Sequence, residues 1–373
     1  MAGNVAAIVL AAGLSKRMGG FKPLLPLGGM TAVERCVNLF RAAGITDVRV
    51  VTGYRGDELK PLLERLNVLM VDNPRYREGG MFSSVAAGLA TIESEIDSFF
   101  VLPVDIPLVR PSTIRRLLDA RREKGCDVLH PVFRGLRGHP PLIAGGHSRE
   151  IANWEGDGGL KQVLALWEPA VLEVCVADGN ILLDMDSADD YRSMREKADR
   201  LGVPTVEECG ELLEKVFCVG DGIIRHGRAV ARVAVCLGEE LNRVGNHLDI
   251  PLIEASCLLH DIAKGEPDHA WLGARRLYEE GFAAVAGPVA SHMEITITDN
   301  DTVSDAQVVY LADKMVSRER PVPLEERFRA RMERHMNEPD ILERVKSRLQ
   351  AAQKIKERIE SKLGRSLEEV LTQ

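Results

Sequence analysis

The first half of the chain is organised around the stretch Leu10-Ala11-Ala12-Gly13-Leu14-Ser15-Lys16-Arg17-Met18-Gly19-Gly20-Phe21-Lys22. It follows a short apolar run, Val5 to Leu10, which predicts a buried parallel strand because the run is apolar throughout and a glycine turn follows it. Small residues let backbone N–H groups approach a flat base or a phosphate closely, while the cations Arg17 and Lys22 can offset the charge of a polyphosphate. The stretch therefore predicts a nucleotide-binding loop.

The spacing within this loop excludes the two commonest phosphate-binding patterns, because it fits neither G-x-x-x-x-G-K-[ST] nor G-x-G-x-x-G. The pattern L-A-A-G-x-S-x-R-M-G-x-x-K resembles instead the signature of nucleotidyltransferases that activate phosphorylated pterins and sugars, the molybdenum-cofactor nucleotidyltransferases in particular. The resemblance implies that Arg17 and Lys22 act in catalysis. It also implies nucleotide contacts from Leu10, Ala11, Ala12 and Gly13. The alternative is a glycine turn followed by surface cations.

Length, charge and cysteine content limit the class of protein. At 373 residues the chain is too long for one ordinary hydrophobic core, so we expect two domains. A net charge of -8 argues against a nucleic-acid or membrane surface, since proteins that follow phosphates carry a basic face. The seven cysteines include no C-x-x-C pair, which favours a reducing cytoplasm over a disulfide framework. We expect a cytoplasmic protein without a secretory signal or a membrane span.

Strand-like and helix-like segments alternate along the first 200 residues. Helical spacing of apolar residues follows Thr31 to Phe40 and Asp57 to Leu66, whereas Val48 to Gly53 and Val68 to Val71 are strand-like. The alternation predicts right-handed crossovers and a doubly wound, mostly parallel α/β sheet of Rossmann-like architecture. A ligand is then expected at the carboxyl ends of the strands.

Small and hydroxyl residues open a helix after the third predicted strand. A helix N-terminus presents free N–H groups and suits anions or polar base edges. The segment resembles the second nucleotide-side loop of the same family, which implies contacts from Asn73, Gly80, Ser83 and Ser84. Serines at a helix start are also ordinary caps, and this alternative stays open.

Asp105 follows another apolar run, Phe99 to Val104, and Pro107 prevents the turn from continuing as a helix. It resembles the magnesium-binding aspartate of the family's A-D-x-P-L motif, with Val104 in place of the small residue. The resemblance implies that Asp105 is both a metal ligand and a catalytic residue. A lone aspartate after a strand is otherwise a turn residue.

A second carboxylate is expected from the segment Leu182 to Tyr191, which resembles the family's closing D-x-D-T-P-E-D motif with Ser, Ala and Asp in place of Thr, Pro and Glu. This resemblance implies Asp186, rather than Asp184, as the second ligand. Magnesium takes oxygen donors and keeps waters and substrate phosphates, so one or two protein carboxylates suffice.

From residue 201 the pattern changes, because Gly202 and Pro204 mark a boundary and the rest of the sequence is helical in character. We expect domains at 1–200 and 201–335 and a charged helical extension at 336–373, which packs on the second domain or mediates self-association. Histidines and aspartates recur beside amphipathic stretches of the second domain: His226, His260, Asp261, His269, His292 and Asp313. A single histidine on a helix is usually a core residue, but this recurrence is typical of a metal site.

The order H…HD…H…H…D resembles the two-metal version of the HD phosphohydrolase superfamily and implies an all-α HD domain. In family terms His226, His260, Asp261 and Asp313 hold the first metal, and Asp261 bridges to a second metal held by His269 and His292. Imidazole and carboxylate ligands suit iron, manganese, cobalt or zinc. The resemblance also implies a catalytic role for Asp261 and contact between Lys264 and a substrate phosphate.

Together these resemblances imply a bifunctional enzyme that binds no nucleic acid. The first domain is expected to use Mg²⁺ to transfer a nucleotidyl group from a nucleoside triphosphate, CTP rather than GTP, to a phosphorylated small molecule of the molybdopterin type. The second is expected to be a metal-dependent phosphohydrolase. Two alternatives remain: a sugar-phosphate acceptor, or a nucleotide-sensing regulatory protein without turnover. Self-association into a homo-oligomer is also open.

Overall fold

In the computed structural model the apolar run before the glycine loop forms a strand, Val5–Leu10, whose last five residues are buried. The structure describes residues 4–14, 20–297 and 302–371. The chain divides into two units, Met1–Arg200 and Leu201–Gln373.

The first unit alternates strands and helices. Its strands are β1 (Val5–Leu10), β2 (Pro26–Leu27), β3 (Met30–Thr31), β4 (Asp47–Thr52), β5 (Leu69–Asp72), β6 (Ser98–Pro103), β7 (Val128–Phe133), β8 (Leu136–Arg137), β9 (Leu142–Ala144) and β10 (Val171–Cys175). Its helices are α1 (Ala32–Ala42), α2 (Gly56–Arg65), α3 (Gly80–Leu89), α4 (Pro111–Lys124), α5 (Ser148–Ala152), α6 (Gly159–Ala165) and α7 (Ala188–Asp199). Short 3₁₀ turns occur at Lys22–Leu24, Gly145–His147, Glu168–Ala170 and Gly179–Leu182.

The main sheet has the strand order β10-β7-β9-β6-β1-β4-β5, with β8 added beside β7. The strand β1 runs parallel to β4 and β6, so that Val9 lies opposite Val50 on one side and Leu102 on the other. The short strand β9 runs antiparallel between β6 and β7. The predicted α/β class with a mostly parallel sheet is confirmed, and its antiparallel strands are β9 and the short β8.

Close packing of α3 on β1 brings the start of that helix to the carboxyl end of the sheet. A Cβ atom at Gly88 would lie 2.6 Å from the Cγ2 atom of Ile8, so only glycine lets the two elements approach this closely. Val85 and Leu89 of the same helix belong to the core that covers this face of β1. The glycine-rich N-terminus of α3 therefore lies near the loop that follows β1.

A buried ion pair ties the loop before α4 to the segment after β10. Asp178 accepts hydrogen bonds from the Arg110 guanidinium at 2.8 Å, the Arg110 backbone N–H at 2.7 Å and the Thr113 hydroxyl at 2.8 Å. Both charged side chains are at most 5% exposed. Removing one partner of such a pair leaves an uncompensated charge in the interior.

We expect Asp178→Ala to lower the free energy of unfolding of the first unit by about 3–5 kcal/mol, because it removes the carboxylate that neutralises the buried Arg110 guanidinium. Urea unfolding can be followed by tryptophan fluorescence in a Trp271→Phe background, in which Trp154 and Trp167 of the first unit remain. Asp119→Ala is the matched control, since its pair with Arg122 is exposed. Equal losses in both variants would contradict the assignment.

The second unit is mostly helical. Its helices are α8 (Val206–Glu211), α9 (Asp221–Arg243), α10 (Ile250–Leu259), α11 (His269–Glu279), α12 (Ala283–Ser291), α13 (Asp305–Lys314), α14 (Leu324–Arg334), α15 (Pro339–Leu363) and α16 (Leu367–Leu371). A π-helical turn, Leu212–Val216, follows α8. Two short strands, β11 (Val316–Ser317) and β12 (Arg320–Pro321), form a hairpin that the purely helical prediction did not include. Arg318 adopts a positive φ of 55° at its turn.

The core of this unit joins its long helices. Leu237 of α9, Leu311 of α13 and Ile355 of α15 are fully buried in one cluster. The charged C-terminal helix thus packs its apolar face on the second unit. Among the described residues, no helix combines the length and the apolar character that a membrane span requires.

Candidate functional site

A cleft of about 460 Å³ opens at the carboxyl ends of β1 and β6 in the first unit. Its lining includes six of the eight predicted nucleotide contacts: Leu10, Ala11, Ala12, Gly13, Gly80 and Ser84. The predicted residues Lys22, Asp105 and Asp186 also line it. The backbone of the loop after β1 and of the start of α3 therefore faces the same space as Lys22, Asp105 and Asp186.

Lys22 lies between the two carboxylates of the cleft. Its Nζ atom donates a hydrogen bond to Oδ1 of Asp186 at 2.8 Å and to Oδ2 of Asp105 at 3.3 Å. Burial by itself lowers the pKa of Lys22, but the two carboxylates outweigh it and the net shift is upward. Burial raises the pKa of Asp105, with a contribution from Asp186, and Lys22 opposes this shift. Two carboxylates that converge on one cation are the oxygen donors that Mg²⁺ prefers.

Backbone geometry positions both carboxylates. Asp105 follows the end of β6, and its carbonyl accepts a hydrogen bond from the backbone N–H of Met185 at 2.9 Å. Asp186 directly precedes Ser187, which begins α7 through a capping box with Asp190. Asp184, two residues earlier, is exposed and does not line the cleft.

Asn73 and Ser83 do not line the cleft, and the structure shows them holding the adjacent loop together. The Asn73 amide donates hydrogen bonds to the hydroxyls of Ser83 at 2.9 Å and Ser84 at 3.0 Å. Its side-chain oxygen accepts from the backbone N–H of Arg75 at 3.0 Å. All of its polar groups are thereby used within the protein. Arg17, the other predicted catalytic cation, lies outside the described residues.

In the second unit the six predicted metal ligands lie together. Asp261 is at the centre: its Oδ2 atom is 3.3 Å from Nε2 of His260 and 4.0 Å from Nε2 of His226. Its Oδ1 atom is 3.5 Å from Nε2 of His269 and 3.7 Å from Nε2 of His292. The two oxygens of one carboxylate therefore face two separate pairs of imidazoles.

Asp313 completes the first of these groups. Its Oδ1 atom lies 3.3 Å from Nε2 of His226 and 3.6 Å from Nε2 of His260. Close packing of helices brings the two histidines together, because a Cβ atom at Gly227 would lie 2.8 Å from the carbonyl oxygen of Leu258. The glycine beside His226 thus permits α9 to approach the end of α10.

Hydrogen bonds to backbone carbonyls orient three of the imidazoles. The Nδ1–H of His226 donates to Arg318 at 2.6 Å, that of His260 to Cys257 at 2.7 Å, and that of His292 to Val289 at 2.7 Å. A carbonyl can only accept, so Nδ1 of each ring carries a proton and Nε2 is the ring atom that faces the carboxylates. The buried Nε2 atom of His260 has no hydrogen-bond partner among the described residues.

Imidazole Nε2 atoms and carboxylate oxygens that converge in this way are metal donors, and this donor set fits two cations. The pKa of Asp261 is lowered: burial opposes ionisation, but the imidazoles of His260, His269 and His292 outweigh it. The pKa of Asp313 is also lowered, because Lys314 and His226 outweigh its burial. Both side chains are therefore carboxylates at neutral pH, as ligation requires.

Each unit contains a segment that matches a known domain family. Residues 7–172 match the model of the MobA-like NTP transferase domain, and residues 223–318 match the model of the HD domain. The chain joins an NTP transferase domain to an HD domain. Its first domain is homologous to nucleotidyltransferases.

Individual relatives match the NTP transferase domain. Molybdenum cofactor cytidylyltransferase of Escherichia coli (strain K12) is 27% identical over 192 residues, which are 51% of this chain and 95% of that protein. Bifunctional protein GlmU of Coxiella burnetii (strain Dugway 5J108-111) is 32% identical over 128 residues, 34% of this chain and only 28% of that protein. A solved nucleotidyl transferase from Methanothermobacter thermautotroptrophicus is 26% identical, with a TM-score of 0.46 over 52% of this chain and 98% of that one.

Two cations that contact Asp313 in the HD unit were not among the predicted site residues. Lys314 is fully buried, and its Nζ atom donates to Oδ2 of Asp313 at 2.6 Å and to the carbonyl of His292 at 2.8 Å. Arg327 lies 3.4 Å from Oδ1 of Asp313. The signal for Lys314 was its position next to a predicted ligand. Arg327 gave no such signal, because its contact is long-range.

Three further residues of the first domain line its cleft although they were not among the predicted contacts: Tyr76, Arg77 and Met81. The Arg77 guanidinium lies over the Tyr76 ring. Their signal was the aromatic and cationic segment that follows the third predicted strand.

In the HD unit, Lys264 is half-exposed and donates a hydrogen bond to Oδ2 of Asp261.

We expect the full chain, loaded with Zn²⁺ and desalted, to retain about two metal ions in the HD unit, because imidazole donors favour zinc over the carboxylate pair of the first domain. His269→Ala and His226→Ala should each retain about one ion, and Asp261→Ala should lose most of both. Metal analysis by mass spectrometry gives the stoichiometry. His335→Ala, which lies outside the cluster, is the control; equal losses there would contradict the assignment.

Proposed function

We propose that this chain is a bifunctional enzyme, a Mg²⁺-dependent nucleotidyltransferase joined to a metal-dependent phosphohydrolase. The observation that carries the first activity is the convergence of Asp105 and Asp186 on Lys22 at the mouth of the cleft. The observation that supports the second is the shared position of Asp261 between two pairs of imidazoles.

In the proposed transfer, a phosphate oxygen of the acceptor attacks the α-phosphorus of a nucleoside triphosphate, and pyrophosphate leaves with the electron pair of the broken bond. The attacking phosphate is already ionised, so no general base is needed. Lys22, together with Arg17, is proposed to stabilise the negative charge on the transferring and leaving oxygens. Bound Mg²⁺, held by Asp105 and Asp186, would supply Lewis-acid stabilisation of the same charge.

The proposed donor is CTP in preference to GTP, and the proposed acceptor is a molybdopterin-type phosphate. The support is the loop pattern of residues 10–22 and the 27% identity to a molybdenum cofactor cytidylyltransferase over half of this chain. The six loop and helix residues that line the cleft are the proposed nucleotide contacts. Asn73 and Ser83 are proposed to act indirectly, since they hold the loop.

In the HD unit we assign one metal to His226, His260, Asp261 and Asp313 and a second to Asp261, His269 and His292. Two such ions would lower the pKa of a shared water and stabilise the leaving phosphate oxygen. Lys264 is proposed to bind the phosphate from the open side of the site. Lys314 and Arg327 hold Asp313 ionised and in place.

For the transferase we expect Asp186→Asn to reduce pyrophosphate release by at least about 100-fold, because it removes a charged ligand of the site. Asp184→Asn is the matched control and should stay within about twofold of wild type, since Asp184 is exposed away from the cleft. Release is measured with Mg²⁺, the four nucleoside triphosphates, and a panel containing molybdopterin and sugar phosphates.

The panel also separates the alternatives. Release with CTP and molybdopterin supports the proposal in full, whereas release with a sugar phosphate replaces the acceptor only. Saturable nucleotide binding without pyrophosphate release from any pair would contradict the transferase reaction and favour a regulatory role.

The two activities are proposed to act on different compounds, since one makes a phosphoanhydride and the other cleaves phosphate esters. We expect Asp261→Asn to lower metal-dependent phosphate-ester hydrolysis by at least about 100-fold and to leave pyrophosphate release unchanged, because the substitution lies in the other domain. The transferase product should accumulate to the same yield with wild type and with Asp261→Asn. A lower yield with wild type would contradict the separation of substrates.

A further inference from the structure

A second cleft, of about 820 Å³, lies beside the metal-ligand cluster of the HD unit. His226 and Lys264 line one part of it, and residues of α14 line another. This helix follows residues 223–318, which match the HD model, so its contribution to the cleft is additional to that domain. The wall of the cleft carries more cations than anions: its cations are Arg225, Lys264, Arg318, Arg327, Arg331 and Arg334, and its carboxylates are those of Asp221, Glu319 and Glu326.

Only some of these cations are neutralised by the protein. Arg225 pairs with Glu319 at 2.7 Å, and Arg327 contacts Asp313. Arg318, Arg331 and Arg334 have no carboxylate within ion-pair distance among the residues that the structure describes. Burial lowers the pKa of Arg331, and so does the neighbouring positive charge of Arg327. Like charges therefore lie close together in this part of the cleft.

The three arginines of α14 follow one face of the helix. Arg327, Arg331 and Arg334 are spaced at i, i+4 and i+7, and the buried residues Leu324 and Phe328 lie along one edge of this row. The row begins at Arg327, which touches the proposed metal ligand Asp313, and extends roughly 10 Å along the helix axis. A single phosphate at the metals would meet only one end of this row.

We propose that Arg318, Arg331 and Arg334 form an anion subsite that binds a phosphate remote from the one that is cleaved, so that the HD unit takes substrates carrying a chain of phosphates. Guanidinium groups suit this task because each presents a planar fork of donors to phosphate oxygens. That a substrate occupies this subsite rests on the phosphohydrolase function proposed above. The anion subsite itself rests on the cleft and its unpaired arginines.

The test compares inorganic tripolyphosphate with orthophosphate as ligands of the full chain. The test variant is Arg331→Gln with Arg334→Gln. The matched control is Arg329→Gln, which removes the same charge from the same helix but does not line the cleft. Arg318 is left in place, because it adopts a positive φ of 55° in the turn that holds the carbonyl contacted by His226. Calorimetry of the metal-free proteins avoids chelation of metal by tripolyphosphate, and any binding in the NTP transferase domain is common to all proteins.

We expect the double variant to weaken tripolyphosphate binding at this site by at least about tenfold, with Arg329→Gln within about twofold of wild type. Wild type is expected to bind tripolyphosphate more tightly than orthophosphate, and the double variant is expected to lose this difference. An unchanged affinity for tripolyphosphate in the double variant, or the same loss in Arg329→Gln, would overturn the subsite. In the metal-loaded chain, inhibition of p-nitrophenyl phosphate hydrolysis by tripolyphosphate should weaken in parallel.

The two proposals fail separately. If no phosphate ester is hydrolysed but tripolyphosphate binding still depends on Arg331 and Arg334, the subsite stands and the hydrolase function falls. If esters are hydrolysed and tripolyphosphate binding is unchanged in the double variant, the subsite falls and the hydrolase function stands.

Discussion

A carboxylate removed from water must be neutralised by its neighbours, and both sites of this chain depend on that constraint. In the first unit Lys22 meets Asp105 and Asp186. In the second, Asp261 is 6% exposed and is surrounded by four imidazoles and Lys264. Each site is therefore stable as a polar cluster at the edge of an apolar core, and each keeps its carboxylates ionised for a cation.

The parts of the fold that could be predicted from sequence are those that local pattern determines. The apolar run before Gly13 forms a central strand, and Thr31 begins α1 through a capping box with Glu34, because periodicity and capping act over a few residues. The antiparallel strand β9 and the hairpin at Arg318 were not predicted. Strands of two or three residues carry too little periodicity to distinguish them from loops.

At the sites, residue types were predictable but their supports were not. The histidines and aspartates of the HD unit recur in a pattern visible in the sequence, whereas the groups that orient His226, His260 and His292 are backbone carbonyls, which every residue possesses. The same holds for Asn73, whose type suggested a ligand contact but whose amide is used entirely by its own loop. Such roles depend on long-range geometry and become visible only in three dimensions.

The cation that neutralises the carboxylates lies on the open side of the first site, whereas in the second site Lys314 lies on the buried side. This difference affects what each site can bind. Lys22 lies inside the first cleft, so a polyphosphate bound there, as proposed, would compete with Asp105 and Asp186 for the same cation. Lys314, by contrast, is fully buried behind Asp313 and leaves the open side of the HD site to Lys264 and to the arginines of the second cleft. With the proposed functions, the first site would exchange its internal ion pairs for substrate contacts, whereas the second would keep its ligand set fixed and bind anions through the arginines of the second cleft.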